Sequence, residues 1–349
     1  MRFKYISTII ILIIFIIPSH VNAKGVHAWN WKIGEATEPG AWIQGMWTDD
    51  ANDQIYFYDG TKIKRGKGGQ AYEYFDMMKV APLLKEYGLD TKDSIESIIL
   101  GRMEMNKGAM YISGLMFSEE WNTDKMWQNR PLFGLTYTVL FKIVKGTPYL
   151  MHISEAKHHI QTGGRFAEDT REDPRLDDFF FHFEKVTVPR FSFHGDKVIL
   201  SRHRDTETEE FAEIIQVGTK TKTLFSMKLS PDLSSSIHLL GHIIGDKLYA
   251  YHNMSYHIKS LSSGKLTLYK LEDNLMRPHI RGDKLYFLND KGFGQLHNGK
   301  VNYLFTPDQI ITKNDLHIEI HYVDYNIERN VLYLTDFNRP RTFWSFDLN

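Results

Sequence analysis

One short phrase occurs three times in this chain and constrains its fold more than any other feature. It reads Phe193-His194-Gly195-Asp196-Lys197-Val198-Ile199, then Ile243-Ile244-Gly245-Asp246-Lys247-Leu248-Tyr249, then Ile280-Arg281-Gly282-Asp283-Lys284-Leu285-Tyr286. A Gly-Asp pair readily takes the backbone angles of a two-residue hairpin turn, and the flanking runs are rich in β-branched and aromatic residues, so each copy predicts strand, turn, strand. The turn glycines lie 50 and then 37 residues apart, within the spacing of radial or stacked repeats.

Around these copies the chain divides into units of about four strands. They span 188–227, 237–271, 276–305 and 316–348, with two diverged units before them. One of those begins at Trp42–Trp47 and Gln54–Gly60. The other contains Ser97–Leu100, Ala109–Ser113, Thr136–Ile143 and Tyr149–Ile153. Four-stranded units of roughly 40 residues predict an all-β fold, a β-propeller, because radial repetition leaves only short, protected sheet edges. A β-sandwich needs no turn recurring at blade-like intervals. The count is six blades, or seven if residues 155–187 form one, and the N-terminal residues can supply a strand that closes the ring with the last blade.

Two stretches interrupt the pattern, at about 73–92 and 155–178. In the first, Pro82 and Gly88 bracket Leu83–Tyr87 as a short helix, since proline suits the first turn and glycine the position past the last. The second is a charged loop with Glu168, Asp169, Asp173 and Asp177 among arginines.

Compartment is read from the first 23 residues. Arg2 and Lys4 precede an apolar run, Ile6–Ile17, closed by Pro18, and Val21-Asn22-Ala23 presents small residues for cleavage. This predicts a secretory signal followed by one domain over 24–349, secreted or periplasmic. The apolar run is too short to span a bilayer, so no stable membrane anchor is expected after cleavage. The absence of cysteine removes disulfides, thiolate metal sites and cysteine nucleophiles. The balance of 42 Lys+Arg against 43 Asp+Glu lacks the basic footprint of a nucleic-acid binder.

The phrases Gly-Asp-Lys-Leu-Tyr-Ala-Tyr-His-Asn, followed by Ile258-Lys259-Ser260-Leu261, and Gly-Asp-Lys-Leu-Tyr-Phe-Leu-Asn-Asp resemble blades of the broad six-bladed propeller superfamily that includes TolB-like and YWTD-like domains. The resemblance covers 188–349. It implies the fold and transfers no catalytic residue.

Counting three residues back from each turn glycine gives Ser192, His242 and His279, with Met105 earlier and Asp324 later, as equivalent positions lining a central channel. No cofactor is called for. The alternative is a divalent metal held by His242 and His279, or by His317 and Glu319, which alternate on one strand face about 6.6 Å apart. His321 is roughly 13 Å from His317 and cannot share that ion. The acidic loop matches no calcium-loop pattern. Trp121 and Trp127, in a polar loop, join Glu168, Asp169, Asp173 and Asp177 as candidates for contact with a partner. No Gly-x-Ser-x-Gly, His-Glu-x-x-His, phosphate loop or dinucleotide fingerprint occurs. The sequence therefore points to a non-enzymatic exported propeller that binds a protein, as a scaffold or an inhibitor. Its rival is an enzyme acting on glycans or other polymers in the channel, with His242, His279 and Asp324 as ligands or acid/base groups.

Overall fold

The structure is a computed structural model, and it describes residues 26–30, 45–49, 54–58, 61–67, 70–96, 98–117, 132–160, 188–206, 209–229, 239–252, 255–271, 276–281, 284–289, 291–297, 300–305, 323–328, 331–336 and 339–347. Short antiparallel sheets dominate. The first strand, β1 (Val26–Asn30), stands apart from the strands that follow it. Blade one is then β2 to β5 (Gly45–Asp49, Gln54–Tyr58, Lys62–Lys67, Gln70–Asp76). Blade two is β6 to β9 (Ile99–Asn106, Ala109–Phe117, Leu132–Val144, Thr147–Ile160). Blade three is β10 to β13 (Phe191–His194, Lys197–Asp205, Glu210–Val217, Lys222–Lys228). Blade four is β14 to β17 (Leu239–Ile244, Lys247–His252, Ser255–Ser260, Leu266–Lys270). Blade five is β18 to β21 (Met276–Arg281, Lys284–Asn289, Gly292–His297, Lys300–Phe305).

The last sheet is composite, with strand order β1-β24-β23-β22, where β22 to β24 are Val323–Glu328, Val331–Asp336 and Arg339–Asp347. Strand β2 lies against β6 and β22, β10 against β14, β9 against β11, and β18 against β22. One apolar cluster joins Leu240, Tyr251 and Tyr256 of blade four to Ile280, Leu285 and Phe287 of blade five. These contacts run from each sheet to the next and back to the first. The molecule is an all-β propeller with few helices.

The expected six or seven blades are corrected to five, plus the composite sheet, in which an N-terminal strand joins the last repeat as the sequence predicts. The C-terminal repeat brings only three strands, and β24 takes its fourth from the other end of the chain, pairing Val26 with Phe346 and Asn30 with Thr342. Among the described residues there is no seventh sheet. Strand β9 runs on to Ile160, into the stretch read as a loop, because it stays in register with the long β8, Leu132 facing Ile160.

Turn chemistry explains the hairpins. Gly195 and Gly245 have φ of 61° and 55° at the first loop position, the pattern of a turn with glycine leading. In the Lys107-Gly108 and Lys145-Gly146 turns both loop residues have positive φ, so the glycine stands second.

The first interruption begins after β5 with a 3₁₀ turn, Met77–Val80, capped by Asp76, whose Oδ1 accepts from the Met78 amide at 2.9 Å. Helix α1 (Ala81–Leu84) follows with Pro82 in its first turn, a second 3₁₀ turn (Lys85–Tyr87) ends at left-handed Gly88, and α2 (Lys92–Glu96) precedes β6. Although it interrupts the strand pattern, this segment is part of the core. Met77, Val80, Leu84, Leu89 and Ile95 are essentially inaccessible and pack with Tyr58 and Phe75 of blade one and Met110 and Ile112 of blade two. At about 1.5–3 kcal/mol for each large apolar side chain buried, the segment helps hold the first two blades together.

Blades also meet through backbone. A Cβ on Gly101 of β6 would stand 1.7 Å from the Pro189 carbonyl oxygen, just before β10, and one on Gly241 of β14 would stand 2.4 Å from Ile214 Cγ2 of β12. Gly101→Ala is expected to destabilise the protein by about 3 kcal/mol in chemical denaturation, since the obstacle is backbone. Gly218→Ala, whose Cβ meets nothing nearer than 3.7 Å, is expected to cost under about 1 kcal/mol. Equal losses would show that blades two and three do not approach so closely.

Candidate functional site

The first strands of the blades carry the residues singled out from the repeat. In β10, β14 and β18 the third rung from the turn pairs Ser192 with Ile199, His242 with Tyr249, and His279 with Tyr286, so the three are equivalent. Two other assignments are corrected. In β6 the third rung is Glu104 opposite Tyr111, not Met105, which faces Met110 on the second. The turn glycine there stands second, so counting back from it lands one residue too far along. In β22 the third rung is Asn326 opposite Tyr333, and Asp324 lies two residues earlier, opposite Thr335. Blade one places Trp47 there, opposite Tyr56.

Several of these positions are engaged in holding the blades. Ser192 is buried and its hydroxyl donates to the Gly241 carbonyl of β14 at 2.6 Å. Arg102 Nη2 donates to Glu104 at 2.5 Å, and the guanidinium lies 5.5 Å from the Phe191 ring of the next blade. Trp47 is buried, as its strand position predicts, with its ring 6.0 Å from Tyr56. His242 is buried with its ring 6.5 Å from Tyr249. Strands β18 and β22, which carry His279 and Asp324, lie side by side. Trp121, Trp127, Glu168, Asp169, Asp173, Asp177, His317 and Glu319 are outside the described residues. Among the described residues no three histidines or carboxylates stand close enough to hold a metal ion.

A second constellation, which the sequence reading missed, occupies the seam between blades two and three. Buried Glu213 of β12 accepts from Arg202 Nε and Nη2 at 3.0 and 2.8 Å, from Arg204 Nε at 2.8 Å and from Ser226 Oγ at 3.3 Å. Burial alone would raise the Glu213 carboxyl, but the hydrogen bonds from Arg204 and Arg202 and their charges outweigh it and hold the group below its ordinary range. A carboxylate with its lone pairs committed in this way is a poor proton acceptor. Burial, and then the Arg202 charge, push His152 of β9 down to about 4. Burial does the same to His203. The signal was present in sequence as Arg202 and Arg204 on one strand face, but their partner becomes visible only from the β11–β12 register, which puts Arg202 opposite Glu213.

The third feature is on the outside. Strand β17 ends the order β14-β15-β16-β17 and, among the described residues, pairs only with β16. Every residue from Leu261 to Lys270 is exposed. Leu266 and Leu268 are each 51% exposed and Tyr269 43%. Tyr269 stacks on Tyr256 of β16 at 4.8 Å, and Leu268 sits opposite His257 on the other face, so apolar groups stand out on both sides of the strand. The turn before it is fixed, because Ser260 and Ser262 both donate to Asp246, in the repeat's own Gly-Asp turn.

The sheets define the class as a β-propeller. Solved structures similar to this chain include the extracellular domain of a protein described as a hybrid two component system from B. thetaiotaomicron, with 8% identity, TM-score 0.44, and 94% of this chain and 43% of that chain covered. A second is the AfRom2 CNH domain, with 6% identity, TM-score 0.43, and 93% and 99% covered. A third is the polysaccharide lyase Uly1, with 9% identity, TM-score 0.44, and 87% and 77% covered. The chain spans less than half the length of the B. thetaiotaomicron domain. No family model and no curated protein matches. No helix among the described residues is long and apolar enough to cross a membrane.

The seam histidines make stability pH-dependent. Their pKa values are lower in the folded state than the ordinary 6.5, so the unfolded chain takes up protons first as pH falls. Stability from these groups is whole above about pH 6.5 and is lost as pH falls toward about 4, by up to about 1.4 kcal/mol per pH unit for each. Denaturation across pH 7.5 to about 4 is expected to show a slope of this sign, and His152→Gln is expected to remove part of it. A slope unchanged by that substitution would mean that His152 is already solvated.

Proposed function

We propose that this chain is an exported propeller that works by binding a partner protein, with the outer strand of blade four as its docking edge. The observation that carries the reading is the unbroken exposed run Leu261–Lys270 with its large apolar side chains. Scattered exposed apolar residues are ordinary on a protein surface, but several gathered on one unpaired strand mark an interaction site or an aggregation hazard. The signal-like first 23 residues support an exported location, secreted or periplasmic. The Gly-Asp-Lys phrases, which resemble blades of TolB-like and YWTD-like domains, support the propeller part of this reading. On their sequence alone, the loops bearing Trp121 and Trp127, and Glu168, Asp169, Asp173 and Asp177, are further contact candidates, and no cofactor is needed for the role.

The test is Leu266→Ser combined with Leu268→Ser. Both side chains are half exposed, so thermal stability is expected to change by no more than about 1 kcal/mol. Recovery of a crosslinked partner from the envelope or secreted fraction is expected to fall at least about tenfold relative to the unaltered chain. Equal recovery from a folded variant overturns the reading.

A further inference from the structure

The free edge of β17 has a chemistry that selects its occupant. Resting on the partner-binding reading above, we infer that it receives an extended strand of a different protein, one that carries carboxylates at both ends of an alternating apolar segment.

Among the described residues no strand pairs with the outer side of β17, and an extended peptide satisfies such an edge by adding a strand. The edge reads Lys265-Leu266-Thr267-Leu268-Tyr269-Lys270, with a lysine at each end. Both lysines are exposed, and no side-chain partner for either appears among the described residues. Leu266 and Leu268 share one face and Tyr269 lies on the other, so the incoming strand meets apolar contacts on alternating sides.

Charge argues against the simplest alternative, a second copy of the chain. Opposed residues of an antiparallel pair share a face, so self-pairing about Leu268 sets Lys270 opposite Leu266 and brings no carboxylate to either lysine. The neighbourhood strengthens the effect. Residues 214–271 hold seven lysines against two aspartates, in a chain whose net charge is −1. One of those aspartates, Asp246, is taken up by Ser260 and Ser262. Lysines on an edge discourage indiscriminate pairing. The same two lysines welcome a strand with acids at the matching positions, through attraction that steers association as well as holding it.

Peptide binding to the full mature chain decides this. Fluorescence anisotropy is read with a labelled peptide, Glu-Val-Thr-Val-Thr-Glu, and with the same peptide bearing lysines at both ends. The acid-ended peptide is expected to bind at least about tenfold tighter, with affinity falling as salt rises, and Lys265→Glu with Lys270→Glu is expected to reverse the preference. If neither peptide binds while the Leu266→Ser, Leu268→Ser variant still loses its crosslinked partner, strand addition is wrong and partner binding stands. If the partner is also retained, both fall. Binding of the acid-ended peptide that survives the double charge reversal, or its displacement by an anionic polysaccharide, overturns the inference as well.

Discussion

The five residue pairs that join β1 to β24 connect the two ends of the described chain and complete the last sheet, which also meets blade one through β22 and β2. Every other sheet is made of consecutive strands, whose pairing costs only the closure of short loops. The β1–β24 pair closes a loop of roughly the whole domain, and the added cost of that length grows only logarithmically. Five antiparallel pairs can therefore offset it, provided the other seams hold the ring nearly closed beforehand.

Those seams share a design. The first strands converge toward the axis, so side chains between them must be small or absent. Gly101 lets β6 approach Pro189, and Gly241 lets β14 approach Ile214 and Ile199. Hydroxyls fill the remaining polar needs. Ser113 donates to the Pro189 carbonyl at 2.7 Å, and Ser192 to that of Gly241 at 2.6 Å. Each satisfies a buried backbone acceptor that lies outside its own sheet, where an unmet carbonyl would cost about 1–3 kcal/mol. Farther out, where blades diverge, the seams carry large groups instead, such as the Arg202, Arg204 and Glu213 set and the stacked His252 and His257 rings, 5.6 Å apart.

Much of this architecture is legible in the residues, because a hairpin announces itself locally. Gly195 and Gly245 mark their turns, and Pro82 and Gly88 bracket their helix, each through the backbone angles those residues favour. What failed is whatever depends on register. Counting from a glycine is safe only if the glycine holds the same loop position, and Gly108 does not. Between β22 and β23 the sequence is Arg329-Asn330, with no glycine to count from, and Asp324 lies two residues from the true equivalent, Asn326. The Glu213 cluster is hidden for the same reason. The destination of an apolar face is equally illegible. Leu266 and Leu268 alternate as core residues do and stand in solvent, whereas Leu224 and Phe225, adjacent on the outer strand of blade three, are both buried with blade four. Alternation says which side chains share a face and is silent on whether a neighbour covers it.

That difference between outer strands decides where function can reside. The edge of β13 is not bare, since Lys259 of the following blade reaches across and donates to the Leu224 carbonyl at 2.7 Å. Blade four thus spends a lysine covering its predecessor's edge. Strand β17 has Lys265 and Lys270 at its ends and receives no such cover among the described residues. The polar groups near the axis bond to one another across the seams, and altering them would loosen the ring before it changed any contact with another molecule. At the outer edge the reverse holds: the side chains of β17 contribute little to the fold, so their identity is free to be set by what they meet.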